Sequence, residues 1–488
     1  MPIADAMRDN LTAGFIDDEI ARELIALLSS GGDARIVLSP ETGLNKYLSA
    51  PYPRDVTAYA SSTANDISAP AFEFLREQGI PDGYGAALND VRARIRAAYD
   101  LNDDVGIVFA PSGTDLEYIA LYLAGARSQS GVHNILLGAD EVGSGCIHSA
   151  HGRYFANETA LGVAVKPAQP VGGLGEVSLA DIPLRCIMGQ VQTSAQICEQ
   201  VAIEMGVAAL DGRQTLLHVV HGSKTGLILP TLSDIDRLRA ENAGRLSLVI
   251  DACQARITNR AVSDYLTRDA IVFLTGSKFM GGPPFNGFAL VPPRLMQSAP
   301  QLPSGFSRIF RKAEWPAGWA GSEALEDSPN FGVALRLSAS IFELERFSAV
   351  DPAKVSDIIA AFRRAVFSHI IDPMGLAMVE PFPPGECAEM VEHPIEMQSL
   401  ITVDVSSLPN MRTFDDAQIV HRAMASQGLR LGQPVKSVRV AGEWAGTLRI
   451  GLSMPQVSAW AEMDATELDA VLTADMTSVA EALKKHSH

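Results

Sequence analysis

Apolar positions along this chain of 488 residues fall into three textures. Near the start, "IDDEIARELIALLSS" spaces its apolar residues for one helix face, and an irregular stretch follows to about residue 50. "SAPYPRDVTAYASSTANDIS" is rich in Ser, Pro and small polar residues and reads as an ordered loop. From about residue 90 to 330, short β-branched apolar runs alternate with helical segments. The runs are "VGIVFA" (105–110), "NILLG" (134–138), "LGVAV" (161–165), "LLHVV" (216–220), "LSLVI" (246–250), "AIVFL" (270–274) and "NGFALV" (286–291). Most are continuous rather than alternating, as expected of strands buried on both faces. Seven such strands with helices between them predict an α/β layered domain with a largely parallel sheet. From about residue 336 the texture shifts to long helices ("VALRLSASIFELERF", "KVSDIIAAFRRAVF"), then strands such as "SLITVDV" and "TLRIGLS", then a helix-rich end. The pattern divides the chain into an N-terminal segment (1–90), a large α/β domain (91–335) and a smaller α+β domain (336–488), with no internal repeat.

A hydrophobic fraction of 47% is ample for a large core, and a formal charge of −18 argues against nucleic acid as the main partner, since duplex binding needs clustered Lys and Arg. The balance favours a cytoplasmic protein with a small-molecule ligand. The opening "MPIADAMRDNLTAGF" lacks the basic-then-apolar pattern of a secretory signal, and no apolar run approaches the roughly 20 residues of a spanning helix. Cys146, Cys186, Cys198, Cys253 and Cys387 show no CxxC or zinc-like spacing and read as reduced thiols, with no metal site.

Ligands of open parallel sheets bind beyond the carboxyl ends of the strands, so the residues that follow each run carry the chemistry. After "VGIVFA", Ser112, Gly113 and Thr114 open a helix, and Thr114 with Glu117 fits a T-x-x-E capping box. The turn is either a plain helix cap or a phosphate site made of free N–H groups, hydroxyls and the helix dipole. After "LSLVI" stands Asp251, which either caps the next turn or faces a cationic ring nitrogen; an unpaired buried charge would be costly. After "AIVFL" stands Lys278, within "TGSKFMGGPPFNG", about 27 residues further on. An anion site, a carboxylate for a pyridinium nitrogen and an imine-forming lysine are the three parts that pyridoxal 5'-phosphate needs.

With those residues in place, the segment from about 100 to 335 resembles the large domain of fold-type-I pyridoxal-phosphate enzymes, nearest to the class V aminotransferase and cysteine desulfurase group. "DACQ" matches that group's D-x-x-Q, which implies Asp251 on the ring nitrogen and Gln254 near the phenolic oxygen. "TGSK" resembles its S-x-H-K, which implies Lys278 as the Schiff-base lysine with Thr275 and Ser277 near the phosphate. "HGSKTGLILP" resembles H-N-E-T-G-x-x-x-P and places Ser223 where an asparagine usually touches the cofactor. "TLRIGLS" resembles the strand whose arginine holds the substrate carboxylate, which points to Arg449 rather than Arg430 or Arg439; mid-strand in an apolar setting, its charge demands a partner. "DSPNFGVALRL" resembles the segment that reaches across the dimer, which implies a homodimer with shared sites and Ser328 at the partner subunit's phosphate.

The departures are informative. Ser277 stands where a histidine usually precedes the lysine. The loop expected to stack a histidine on the ring reads "GADEVGSGCIHSAHGRYF", with Val142 near the expected place and His148 and His151 on the following helix. No cysteine lies near "LRLGQPVKS", so desulfuration by the usual mobile thiol is not expected. "GSKT" (222–225) lacks the phosphate-loop spacing, so Lys224 reads as a solvated loop lysine, with a phosphate or substrate contact as the alternative, and "VGGLGEV" (171–177) reads as a turn. Ser61 and Ser62 are substrate-contact candidates, since the N-terminal segment of such dimers often lines the site. The expected activity is transamination of an amino acid or small amine through an imine with the cofactor. The alternatives are a carbon–sulfur or β-elimination lyase and a non-catalytic cofactor-binding protein.

Overall fold

The computed structural model describes residues 18–60, 62–63, 65–143, 146–383, 385 and 394–487. Strands are numbered β1 (Thr57–Tyr59), β2 (Gly106–Ala110), β3 (Val132–Leu137), β4 (Val177–Ile182), β5 (Gln214–His221), β6 (Ile228–Leu229), β7 (Leu246–Asp251), β8 (Ile271–Thr275) and β9 (Gly287–Val291). Nearer the C-terminus come β10 (Ala377–Met378), β11 (Leu400–Asp404), β12 (Leu429–Leu431), β13 (Arg439–Val440), β14 (Glu443–Trp444) and β15 (Thr447–Gly451).

The central sheet runs β2-β9-β8-β7-β5-β3-β4, with the short β6 paired to β5. Pairings β3–β4, β3–β5, β5–β7 and β7–β8 are parallel, and β9 is antiparallel to both β2 and β8. The sheet is therefore mixed but mostly parallel. Strands β2, β3, β5, β8 and β9 are buried at every position, which is why they read as unbroken apolar runs. One expected strand is corrected. Residues 161–165 form a turn, closed by Thr159 N–H to Val163 O at 3.0 Å, and the strand beside β3 is Val177–Ile182. That edge strand is half-exposed along most of its length, so "VSLADI" carries polar residues and hides from an apolar search.

Helices cover the sheet. The ones needed below are α1 (Glu19–Leu28), α2 (Ala69–Gln78), α3 (Tyr84–Tyr99), α4 (Gly113–Gly125), α5 (Ser194–Leu210), α6 (Leu232–Glu241), α7 (Asn259–Leu266), α8 (Phe331–Ser348), α9 (Pro352–Val366), α10 (Phe414–Ser426) and α11 (Ala465–His486). Helix α1 begins where the Asp18 carboxylate accepts from Ile20 N–H at 3.0 Å, and it buries Ala21, Leu24, Ile25 and Leu28. That stripe joins Tyr52, Phe72 and Leu75 against Leu335 and Ala339 of α8, forming a separate N-terminal core. Helix α8 also packs on α3. Its wholly buried Arg336 donates from Nε to Phe285 O (2.9 Å), from Nη1 to Leu28 O (3.0 Å) and Ser30 O (2.6 Å), and from Nη2 to Gly31 O (3.0 Å). A cation thus closes the carbonyl end of α1, where the helix dipole favours it.

At the C-terminal end, β11 pairs antiparallel with β10 and β15. Strand β1 pairs in parallel with β12, joining residues 57–59 to residues 429–431. Among the described residues no helix is long and apolar enough to cross a membrane, and no cluster of three or more His, Cys, Asp or Glu side chains could hold a metal ion.

Candidate active site

Beyond the carboxyl ends of β2, β7 and β8 lies a cavity of about 150 Å³. Ser112, Gly113, Thr114, Asp251, Gln254, Thr275, Ser277, Lys278, Arg449 and Ser62 all line it. Ser223 and Val142 face a small adjoining recess that shares Asp251, Gln254 and Lys278. Ser328 lies outside both, with its hydroxyl buried and unpartnered. Ser61 falls outside the described residues.

The lysine stands in a turn that tight packing defines. A Cβ on Gly276 would collide with Ser340 of α8 and with Asn286, and the Gly276 N–H donates to Asn286 Oδ1 at 3.0 Å. From the N-terminal segment, Asn65 Nδ2 donates to the Lys278 carbonyl at 2.8 Å and to the Ser277 carbonyl at 3.3 Å. The backbone carrying Lys278 is therefore held from three directions, as a precisely placed amine requires.

Asp251 ends β7, with Oδ1 accepting from Cys253 N–H at 3.1 Å. Behind it is a fully buried pair. Glu117 Oε2 comes within 3.2 Å of His218 Nε2, yet neither atom finds an aligned hydrogen bond. Burial pushes Glu117 well above the usual carboxylate range, and the charge of Asp251 adds to this. Burial lowers His218 to about 4, against the pull of Asp251. Burial thus favours the uncharged form of both groups near neutral pH. Glu117 therefore does not cap α4. The cap is Ser112, whose hydroxyl accepts from Asp115 N–H at 3.4 Å and donates to the Asp115 carboxyl at 2.6 Å.

The start of α4 lines the cavity. A Cβ on Gly113 would stand 2.8 Å from Thr275 Cγ2 and 3.4 Å from Cys253 Sγ, so the packing there leaves no room for a side chain. Thr114 and Ser277 are buried hydroxyls on the same wall. Thr275 donates its hydroxyl to Cys253 O at 2.7 Å, so toward an anion it can supply no proton. Nearby Asp115 is raised to about 7 by burial, although the Ser112 hydroxyl opposes the shift.

Among the arginines compared above, only Arg449 lines the cavity. Its Nε donates to Gln433 O at 2.8 Å, and burial lowers it to about 10. Arg430 pairs with Asp66 at 2.6 Å, and Arg439 lies on the β13–β14 hairpin, stacked over Trp444 at 3.8 Å. Several lining residues were not expected there: Arg35, Tyr47, Glu117, Cys146, Phe285 and Gln433. Lys224 also lines the cavity, half-buried, which favours the contact alternative over a fully solvated lysine. Ser223 donates to Glu141 at 2.8 Å, which occupies the hydroxyl expected at the cofactor. His148 and His151 line neither space.

These features suit pyridoxal phosphate. The N-terminus of α4 with the Thr114 and Ser277 hydroxyls suits an anion, Asp251 is a carboxylate backed by neutral groups, and Lys278 is an amine in the same cavity.

No family model matches the sequence, and no curated protein matches it. Solved structures do. The chain is similar to a NifS-like protein at 12% identity, TM-score 0.53, covering 87% of this chain and 100% of that one. A cysteine desulfurase from Escherichia coli is 15% identical, TM-score 0.50, covering 82% and 84%. Ureidoglycine-glyoxylate aminotransferase from Bacillus subtilis is 12% identical, TM-score 0.50, covering 87% and 98%. At such identities the likeness establishes the fold alone, the fold-type-I architecture that the motifs imply.

Proposed function

We propose that this chain is a pyridoxal-phosphate-dependent enzyme acting on an amino acid or small amine, and that its reaction is transamination. The observation that carries the reading is the convergence of Lys278, Asp251 and the start of α4 on one cavity, with Arg449 on its wall. Once bound, the cofactor supplies an electron-accepting ring that stabilises negative charge at the substrate Cα.

The chain's own groups divide the remaining work. The backbone N–H groups at the start of α4 and the Thr114 and Ser277 hydroxyls would hold the phosphate, whereas the Ser112 hydroxyl proton is committed to Asp115. Asp251 keeps a proton on the ring nitrogen, and neutral Glu117 and His218 do not compete for that role. Lys278 would hold the cofactor through Nζ and, when that amine is free, would move the proton at the substrate Cα. Arg449 orients the α-carboxylate and so selects which Cα bond Lys278 can reach. Phe285 and Tyr47 close one side against water.

Transamination needs no group beyond these. A nucleophilic-thiol route finds no support in the cavity cysteines, since burial pushes both Cys146 and Cys253 upward and keeps them as thiols. A homodimer belongs to the same reading. For Ser328 to reach a partner's phosphate, its hydroxyl must first turn outward.

The test is spectroscopic and chemical. Protein mixed with pyridoxal phosphate should turn yellow, borohydride should fix the chromophore to Lys278, and Lys278→Ala should stay colourless. A wild-type protein that ignores the cofactor defeats the proposal. Single-turnover incubation with an amino-acid panel then separates reactions: conversion of the cofactor to its amine form marks transamination, whereas pyruvate and ammonia without that conversion mark elimination.

A further inference from the structure

Lys224 is a cation that the proposed reaction leaves without a role. It sits between Ser223 and Thr225 on the loop after β5, where the H-N-E-T-G pattern has a glutamate, so the sign of the charge is reversed here. Its backbone N–H donates to Glu141 O at 2.8 Å, and its Nζ donates to the Asp140 carbonyl at 3.1 Å. The nearest carboxylate is already saturated. Glu141 takes Arg185 Nε at 2.7 Å and the hydroxyls of Ser223 and Thr225, each at 2.8 Å.

The other cations on this cavity are committed. Arg35 is held by Asp33 through Nε at 2.8 Å and Nη2 at 2.5 Å. Lys278 goes to the cofactor and Arg449 to one carboxylate. Arg449, Lys278 and Cys146 line the same cavity as Lys224, and Glu141 and Lys278 line the adjoining recess with it. Burial first, and then the positive charges of Arg449 and Lys278, lower its amine to about 8. Like charges packed around a half-buried cavity repel, and an anion placed between them relieves that repulsion.

We propose that Lys224 is a specificity residue that binds a second anionic group, on the substrate side chain, so that the site selects dicarboxylic over neutral amino acids. This rests on the reading of Arg449 as the α-carboxylate site. It also sets a pH signature. Lys224 loses its charge as pH rises through about 8, so the preference for a second carboxylate fades from pH 7 to 9.

Protein loaded with pyridoxal phosphate is titrated with succinate, which has two carboxylates, and with butyrate, its one-carboxylate counterpart. Binding is read by calorimetry at pH 7 and 9. Succinate should bind about tenfold tighter or better at pH 7, the scale of one charge-assisted hydrogen bond. The succinate-to-butyrate ratio should collapse in Lys224→Met and persist in Lys224→Arg at both pH values. A wild-type ratio near one, or a ratio that survives Lys224→Met, overturns the assignment. Loss of the yellow colour in the wild type is a separate result that overturns the functional reading beneath it.

Discussion

Gly113→Ala tests the anion cradle most directly. The new Cβ would lie 2.8 Å from Thr275 Cγ2, well inside the ~3.5–4.0 Å at which carbon atoms attract. Thr275 has little freedom to retreat. Its hydroxyl donates to Cys253 O at 2.7 Å, and its backbone is paired with Gly287 of β9. The strain must therefore move the start of α4, which is the part that would hold the phosphate. Overpacking of this kind costs about 1–3 kcal/mol, partly offset by the roughly 1 kcal/mol or less that alanine regains in a helix. The expected net is about 1–2 kcal/mol in urea unfolding, with cofactor affinity falling about tenfold as the Gly113 N–H is displaced. Thr275→Ser removes the opposing methyl and keeps the hydroxyl that donates to Cys253. In Gly113→Ala with Thr275→Ser, most of the loss should return, giving a coupling of about 1 kcal/mol in a double-mutant cycle. If Gly113→Ala binds and unfolds like the wild type, or if the two changes merely add, the close contact is not what makes this glycine necessary.

Two further tests probe buried charge. Asp115 titrates at about 7 in the folded chain against an ordinary 3.8, so its contribution to stability is fully present below 3.8 and is lost as pH rises toward 7, at up to about 1.4 kcal/mol per pH unit. Asp115→Asn should flatten that slope in urea melts between pH 4 and 7, and an unchanged slope would remove Asp115 as its source. Arg336→Met removes the donor to the Phe285, Leu28 and Ser30 carbonyls, while Gly31 O keeps Asn330 Nδ2, and should destabilise by about 2–5 kcal/mol, with earlier proteolysis of residues 18–60. A loss below about 1 kcal/mol, the net worth of one ordinary hydrogen bond, would mean that this arginine is not what secures α1.

What the sequence disclosed follows from burial. Strands such as Ile271–Thr275 are covered on both faces, and their apolar runs could be read directly. Asp251 and Lys278 stood out because charge at the end of such a run is costly unless it has work to do. Val177–Ile182 was hidden because an edge strand may carry polar residues, while Leu161–Val165 imitated a strand that the Thr159 turn replaces. Gly113 could be suspected as the opening of a helix, but its reason, the Thr275 methyl, lies 162 positions away and is a property of packing. Arg35, Tyr47 and Lys224 come from loops with no periodic signal, and only tertiary folding brings them to the cavity. Thr114 and Glu117 show the converse: their spacing fits a cap, yet burial turns Glu117 inward to His218.

The pairing of β1 with β12 carries a consequence for how the molecule is made. Residues 57–59 leave the ribosome early but find their strand partner only when residues 429–431 appear. At about 5–20 residues per second, that wait is on the order of tens of seconds. Meanwhile the central sheet, with Asp251 and Lys278, is already synthesised, whereas Asn65, which grips the Lys278 carbonyl, lies on a strap that α8 anchors through Tyr52 and Phe72 but that β1 does not yet secure. The last anchors come later still: Gln456 donates to Ala58 O at 3.0 Å, and Tyr59 donates to Asp475 at 2.6 Å. Securing of the strap is therefore among the last steps of folding, and a chain cut short before residue 429 would carry Lys278 and Asn65 without the pairing that fixes β1.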